Sequence, residues 1–114
     1  MRKKGKIKNI KDILKSEFDV ELVIIQCGYY FEVIEEDAEF FHTNFNFKLH
    51  NCGGCRPYQV TGFPKRKGLL DKYINILDER RVNYAILDQV DVRGNHVTRE
   101  VTHSPNNRVL GLVF

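Results

Sequence analysis

A buried-strand pattern that runs directly into a glycine and three aromatics constrains this chain more than any other stretch. The apolar run Val20-Glu21-Leu22-Val23-Ile24-Ile25 has the length of one buried β-strand. Gly28 follows, and a residue without a side chain permits a sharp turn or a close backbone approach. The segment Tyr29-Tyr30-Phe31-Glu32 comes next, so an aromatic strand is predicted to fold back from the buried one.

This aromatic segment has both a binding and a structural interpretation. Alternation along a strand sends Tyr29 and Phe31 to one face and Tyr30 and Glu32 to the other. An exposed ring can stack on any nucleic-acid base, and a neighbouring carboxylate can accept a hydrogen bond from a base edge. The alternative is a strand with one wet, tyrosine-rich face, since aromatics are ordinary strand formers. The segment alone leaves both interpretations open.

Length and composition predict one soluble globular domain over residues 1–114. The chain is 42% apolar and 29% charged, which is ordinary for a folded domain and unlike a disordered one. No apolar run approaches the roughly 18 residues that a membrane span requires. The basic N-terminus lacks the apolar segment of a signal peptide, and three cysteines suggest no disulfide framework. We therefore expect a cytoplasmic protein without a membrane partner.

Positive charge is concentrated in three stretches, although the net charge is only +3; one of them, Arg80-Arg81, ends a predicted helix. The first is a predicted N-terminal arm, residues 1–8, which carries Arg2, Lys3, Lys4 and Lys6. The second, Lys65-Arg66-Lys67, follows Pro64 and is called the basic loop below. A basic arm and a basic loop suit a polyanionic partner. The alternative is a solubilising tail and a solvated loop.

Periodicity predicts an α/β (α+β) domain. Helices are predicted over 8–16, 35–41 and 68–81. The first of these helices is predicted to carry its cations on its outer face. Strands are predicted over 20–27, 44–49, 58–64, 84–87 and 96–102, with a last apolar strand or a linker over 109–114. Turns are predicted at 51–55 and 91–95. Together these segments predict one mixed sheet of about five or six strands with about three helices around it.

The motif Cys52-Gly53-Gly54-Cys55 raises the question of a metal. With His50 or His42 it could supply three zinc ligands, and Cys27 a fourth; a redox pair is the other possibility. Zinc sites usually have two Cys/His knuckles, and here there is one. We therefore expect an exposed hairpin tip, without metal or other cofactor, that touches a nucleic-acid backbone through its glycine amides and Arg56.

Sequence signals for catalysis are weak. No glycine-rich loop ends in Gly-Lys-Ser/Thr, so a P-loop is not encoded. Glu35, Glu36 and Asp37 could bind magnesium, but adjacent acids in a first helical turn are more often solvated. His103 and Ser104 lack a third partner at a recognisable spacing for a triad. The chain is therefore predicted to be non-enzymatic.

Several of these segments together resemble one family, the N-terminal mismatch-recognition domain of MutS proteins, over roughly residues 10–104. That family's signature is a buried strand, then Gly-Asp-Phe-Tyr-Glu, then a helix containing Asp-Ala. The matching segments agree in order and in spacing, apart from a small insertion around Lys65 to Gly68. They are Gly28-Tyr29-Tyr30-Phe31-Glu32, Asp37-Ala38, Gly62-Phe63-Pro64, Tyr84-Ala85-Ile86-Leu87-Asp88-Gln89 and Arg99-Glu100-Val101-Thr102. The resemblance implies a MutS domain I-like fold.

The resemblance also implies roles for individual residues. In that family the phenylalanine wedges beside a mispaired base and stacks on it, while the glutamate two residues later hydrogen-bonds the base. These roles fall on Tyr30 and Glu32, where tyrosine replaces phenylalanine and keeps a stacking face. Phosphates of structured RNA or mismatched DNA would be held by basic residues: Arg2, Lys3, Lys4, Lys6, Arg56, Lys65, Arg66 and Lys67.

The family's connector, clamp and ATPase domains would follow where this chain ends, so a free-standing MutS-like module is expected. Small proteins of this kind accompany some reverse transcriptases of diversity-generating retroelements. The resemblance therefore suggests a second function, an accessory subunit that docks on a reverse transcriptase–RNA complex. In that case the aromatic strand or the helix over 68–81 would contact the larger protein.

Overall fold

The computed structural model describes residues 3–51, 58–93, 96–103 and 107–112, with side chains described for 7–51, 58–89 and 100–103. Its elements are α1 (Lys3–Phe18), β1 (Leu22–Cys27), β2 (Tyr30–Ile34), α2 (Glu36–Phe45), β3 (His50–Asn51), β4 (Gln59–Pro64), α3 (Leu69–Glu79), β5 (Tyr84–Arg93), β6 (His96–His103) and β7 (Asn107–Leu112). Within the described residues these strands form one sheet in the order β3-β4-β2-β1-β5-β6-β7.

The sheet is mixed, as predicted. β1 and β5 are parallel, while the other neighbouring strands are antiparallel. It has seven strands in the described part of the chain, rather than five or six, because the two-residue β3 and the separate β7 both pair with it. Three helices accompany the sheet in the described ranges, so the α+β fold class is confirmed.

The helices divide between the two faces of the sheet. α1 covers one face, where Ile10 and Leu14 pack with Val23, Ile25 and Leu87. The other face, with α2 and α3, has a larger core, which includes Leu22, Ile24, Phe31, Phe41, Phe63, Leu77, Tyr84 and Ile86. Alternation along β1 and β5 therefore sends apolar side chains to both faces, as a central strand covered on both sides requires.

The predicted strand over 44–49 is wrong, because α2 continues to Phe45. Phe41 and Phe45 are one helical turn apart, and their ring centroids lie 5.2 Å from each other. Asn46 then ends the helix with a left-handed φ of 62°, and the Phe47 amide donates to the Phe41 carbonyl. Alternation of asparagine and phenylalanine was also compatible with a helix end, and aromatic packing selected the helix.

Three other boundaries differ from the prediction. α1 begins at Lys3 rather than residue 8, and β5 continues to Arg93, so residues 91–93 belong to a strand and not to a turn. The last strand is Asn107–Leu112. A hairpin follows α2, but its first strand is His50–Asn51 and not the predicted 44–49; it pairs with β4 at Gln59 and Val60, and the predicted cysteine turn lies outside the described residues.

Candidate nucleic-acid interface

A two-residue loop, Gly28-Tyr29, joins β1 to β2, and Cys27 pairs with Tyr30 across it. Gly28 has a φ of +63° with open space around it, so its role is conformational. Tyr30 is 55% exposed and Phe31 is 2% exposed, which confirms the predicted alternation between them. Tyr29 does not share the face of Phe31, because it lies in the turn and is 86% exposed.

Gln26 fixes this hairpin from inside. Its buried side chain donates from Nε2 to the Gly28 carbonyl at 2.9 Å. Its Oε1 accepts the backbone N–H of Gln89 at 2.8 Å and the Nζ of Lys65 at 3.2 Å. One amide therefore ties the hairpin to β5 and to the basic loop. Sequence reasoning missed Gln26, although a glutamine at the end of an apolar run was a visible signal.

The basic loop lies beside the tyrosines. Pro64 pairs with Tyr30, and the next backbone N–H, that of Lys65, donates to the Tyr29 carbonyl at 2.6 Å. All three cations of the loop are exposed. The fold thus brings a predicted cluster of cations, about 35 residues away along the chain, to the aromatic hairpin.

Tyr30 and Glu32 also border a shallow pocket of about 160 Å³. The pocket is lined by Tyr30, Phe31, Glu32, His50, Val60, Thr61 and Gly62. Glu32 pairs with Gly62 and His50 with Val60, which are two residues apart on β4, so both side chains belong to the same face of the sheet. The sequence suggested His50 as a zinc ligand and did not place it with the aromatic segment.

Six charged residues form what we call the lysine–carboxylate ladder. Lysines from α1 and acids at the start of α2 alternate in the order Lys8, Glu35, Lys11, Glu36, Lys15, Asp37. The successive N–O distances are between 2.6 and 3.1 Å. The carboxylate of Asp37, at the end of the ladder, also accepts a hydrogen bond from the backbone N–H of Val23 at 3.0 Å. The ladder therefore reaches into the sheet.

The ladder corrects two predictions. The lysines of α1 do not all lie on an outer face, since Lys11 is only 2% exposed. The acids are not simply solvated, since Asp37 is buried and each of the three carboxylates contacts a lysine. Both predictions failed because the opposite charges lie 21 to 27 residues apart in sequence and meet only in the fold.

Protonation of the ladder follows from these contacts. Burial disfavours the charged form of Lys11, but hydrogen bonds to Glu35 and Glu36 outweigh it and raise the pKa of that lysine. Burial acts against the charged Glu36 as well, yet Lys11 and Lys15 lower its pKa to about 2. For Asp37 burial dominates, and its pKa is raised despite Lys15.

The ladder reduces the cationic surface that α1 offers to a polyanion, because Lys8, Lys11 and Lys15 are engaged with carboxylates. Of the other predicted phosphate contacts, Lys3, Lys4 and Lys6 belong to α1 with side chains outside the description, and Arg2 and Arg56 lie outside the described residues. Among the described candidates, the basic loop is the cationic group that meets the aromatic hairpin.

In the part of the chain that the structure describes, no three or more His, Cys, Asp or Glu side chains are grouped to hold a metal ion. The motif Cys52-Gly53-Gly54-Cys55 lies outside that part. None of the described helices is both long enough and apolar enough to cross a bilayer.

Comparison with known proteins agrees with the resemblance. The family model of MutS domain I matches residues 7–106. A similar protein is DNA mismatch repair protein MutS 1 of Haloarcula marismortui, which is 32% identical over 90 residues. Those residues cover 78% of this chain and 9% of that relative, so the chain corresponds to a small part of the relative's length. The chain therefore belongs to the MutS domain I family, which is the family of the N-terminal mismatch-recognition domain of MutS proteins.

Proposed function

We propose that this domain is a non-enzymatic nucleic-acid-binding module that recognises a base outside regular pairing. Tyr30 stacks on that base, Glu32 accepts a hydrogen bond from its edge, and the basic loop holds adjacent phosphates. The observation that carries the proposal is the junction of the hairpin with the loop. The Lys65 amide bonds the Tyr29 carbonyl at 2.6 Å, beside an exposed Tyr30.

The chemistry of each group fits this role. Tyr30 is rigid, half exposed and planar, so it can stack without ordering a long side chain. Glu32 borders the pocket on the same face, two residues along β2, where a base edge next to the ring would meet its carboxylate. His50 adds a second hydrogen-bonding group at the same pocket, so base identity can be read by two side chains.

Tyr30→Ala is expected to weaken binding to a mismatched or unpaired-base oligonucleotide by about tenfold to a hundredfold, because base stacking contributes about 1–3 kcal/mol. The dependence of affinity on salt should not change, since no cation is removed. Fluorescence anisotropy at several salt concentrations measures both quantities. Tyr30→Phe is the matched control and should bind like the wild type. Equal affinities of Tyr30→Ala and wild type would contradict the stacking role.

The double variant Arg66→Ala/Lys67→Ala is expected to bind more weakly and with a flatter salt dependence. If both side chains contact phosphates of B-form DNA, the slope of log K against log salt should fall by about 2. These two residues are chosen because Lys65 also bonds Gln26. Lys72→Ala, an exposed cation on α3, is the control and should keep the wild-type slope. A slope unchanged in the double variant would remove the loop from the interface.

A protein-interaction subunit is the second candidate function, and one surface favours it. A groove of about 490 Å³ between α3 and strands β5 and β6 includes Leu70, Ile74, Asp71, Asp78, Asp88 and Glu100. Its carboxylates repel phosphates, so it suits a basic protein segment better than a nucleic acid. It lies on the α2/α3 face, away from Glu32, so both functions can coexist.

The reverse transcriptase suggested by the resemblance stays a prediction for this second function. Co-expression with the reverse transcriptase of a diversity-generating retroelement tests it. Retention of the enzyme by wild-type protein, and its loss with Asp71→Lys/Asp78→Lys, would support docking at the groove. Absence of a stable complex at low salt would contradict it.

A further inference from the structure

We propose that Tyr29 is a second stacking platform, so that the preferred ligand presents two consecutive unpaired bases rather than one mispair. This inference rests on the proposed function and names its substrate class. Tyr29 stands where the family pattern has an aspartate, so its ring is a feature of this chain.

Exposure singles out the two adjacent tyrosines. In the described part of the chain, the exposed large hydrophobic residues are Ile13, Tyr29 and Tyr30, and Tyr29 is the most exposed at 86%. The described phenylalanines, in contrast, lie at least partly within the domain. Large exposed rings that contribute little to the core are typical of binding surfaces. Two such rings at one hairpin tip give two flat surfaces at neighbouring positions.

The geometry of the tip favours two bases over one. Tyr29 lies in the turn and Tyr30 begins β2, so the Cα atoms of the two exposed tyrosines are consecutive and lie about 3.8 Å apart. A single ring can wedge into one step of a duplex, whereas two neighbouring exposed rings offer stacking surface for two bases. They can each receive a base when both bases are unstacked, which is how aromatic side chains bind loops, bulges and single strands.

The basic loop is placed to hold the backbone between those two bases. Its first backbone N–H donates to the carbonyl of Tyr29 itself, and the residue before it pairs with Tyr30. Lys65 is therefore anchored next to both rings, and the exposed charges of Arg66 and Lys67, which follow it, are available to the intervening phosphate. The pocket with Glu32 and His50 serves the base on Tyr30, while the base on Tyr29 is held by stacking alone.

The test compares three matched oligonucleotide duplexes that are fully paired, carry one mismatch, or carry a two-base bulge, each as DNA and as RNA. Wild-type protein should bind the bulged duplex most tightly. Tyr29→Ala should weaken binding to the bulge by about tenfold and change binding to the single mismatch by less than twofold. Tyr29→Phe keeps the ring and should match the wild type on all three. Preference for the bulged duplex supports the inference whether it is seen with DNA or with RNA. The form that binds more tightly identifies the nucleic acid.

Two results would overturn the inference. One is equal weakening on mismatch and bulge by Tyr29→Ala, which would make Tyr29 a general contact; the other is no weakening on either. In both cases the proposed function stands if Tyr30→Ala still reduces affinity. If Tyr30→Ala and Arg66→Ala/Lys67→Ala also leave every affinity unchanged, the proposed function fails as well.

Discussion

Gly62→Ala is expected to lower the free energy of unfolding by about 3 kcal/mol and the Tm by about 12 °C. Gly62 lies in β4 opposite Glu32 of β2, where the two backbones approach closely. A Cβ there would overlap the carbonyl oxygen of Phe31 and lie 3.2 Å from its carbonyl carbon. Because these are backbone atoms of a buried strand, β2 and β4 must move apart. Urea unfolding followed by circular dichroism measures the change.

Gly68→Ala is the control for this prediction. Gly68 has a φ of +82° but open space around it, so alanine there adds backbone strain without a collision. Its expected cost is about 1 kcal/mol. Equal losses at the two positions would mean that the close approach of β4 to β2 does not limit stability. Since Glu32 and Tyr30 lie on β2, Gly62→Ala should also weaken nucleic-acid binding.

Lys11→Met is the second large prediction, with an expected loss of about 2 kcal/mol and about 8 °C in Tm. Methionine has a similar volume, so the change removes charge without leaving a large cavity. Glu35 and Glu36 would lose their central partner, at 2.6 and 2.9 Å. The loss is smaller than for a fully buried pair, because these carboxylates remain partly exposed to water. Thermal unfolding at pH 7 measures it.

Lys8→Ala is the matched control, because Lys8 lies at the exposed end of the ladder. Of the ladder's three acids, Lys8 contacts Glu35 alone. Its expected effect is within about 0.5 kcal/mol. If Lys8→Ala destabilised as much as Lys11→Met, the buried position of Lys11 would not be what makes the ladder stabilising.

The ladder also sets a dependence of stability on pH. The pKa values of Glu35 and Glu36 are lowered, the latter to about 2, so their contribution is present above about 4.5 and is lost as the pH falls toward 2. The raised pKa of Asp37 acts in the opposite sense, because the folded chain then binds that proton more readily than the unfolded chain. Lys11→Met lacks contacts that lower the pKa values of Glu35 and Glu36, so this variant should lose less stability than wild type on acidification.

Much of the fold could be predicted because its signals are local. The apolar run before Gly28 became β1, the glycine turned the chain, and the amphipathic stripe over 68–81 became α3. Alternation correctly separated Phe31 from Tyr30, since it depends on backbone geometry alone. It failed for Tyr29, which lies in the turn, where strand alternation does not apply.

Long-range contacts could not be read from the sequence in the same way. The ladder joins α1 to the start of α2, and neither helix carries a pattern that identifies the other as its partner. For the candidate site, the resemblance supplied Tyr30 and Glu32. His50 joined them through the pairing of β3 with β4, and Gln26 joined the basic loop to the hairpin, which required the strand order.

If the proposed function is right, nucleic acid binds at the tyrosine hairpin and the basic loop. Amide chemical shifts of the ¹⁵N-labelled domain, titrated with a duplex carrying a two-base bulge, test it most directly. We expect the largest shifts at residues 28–32 and 65–67, with small shifts along α3. Shifts that concentrate on α3 and the acidic groove, or that are absent at low salt, would contradict it.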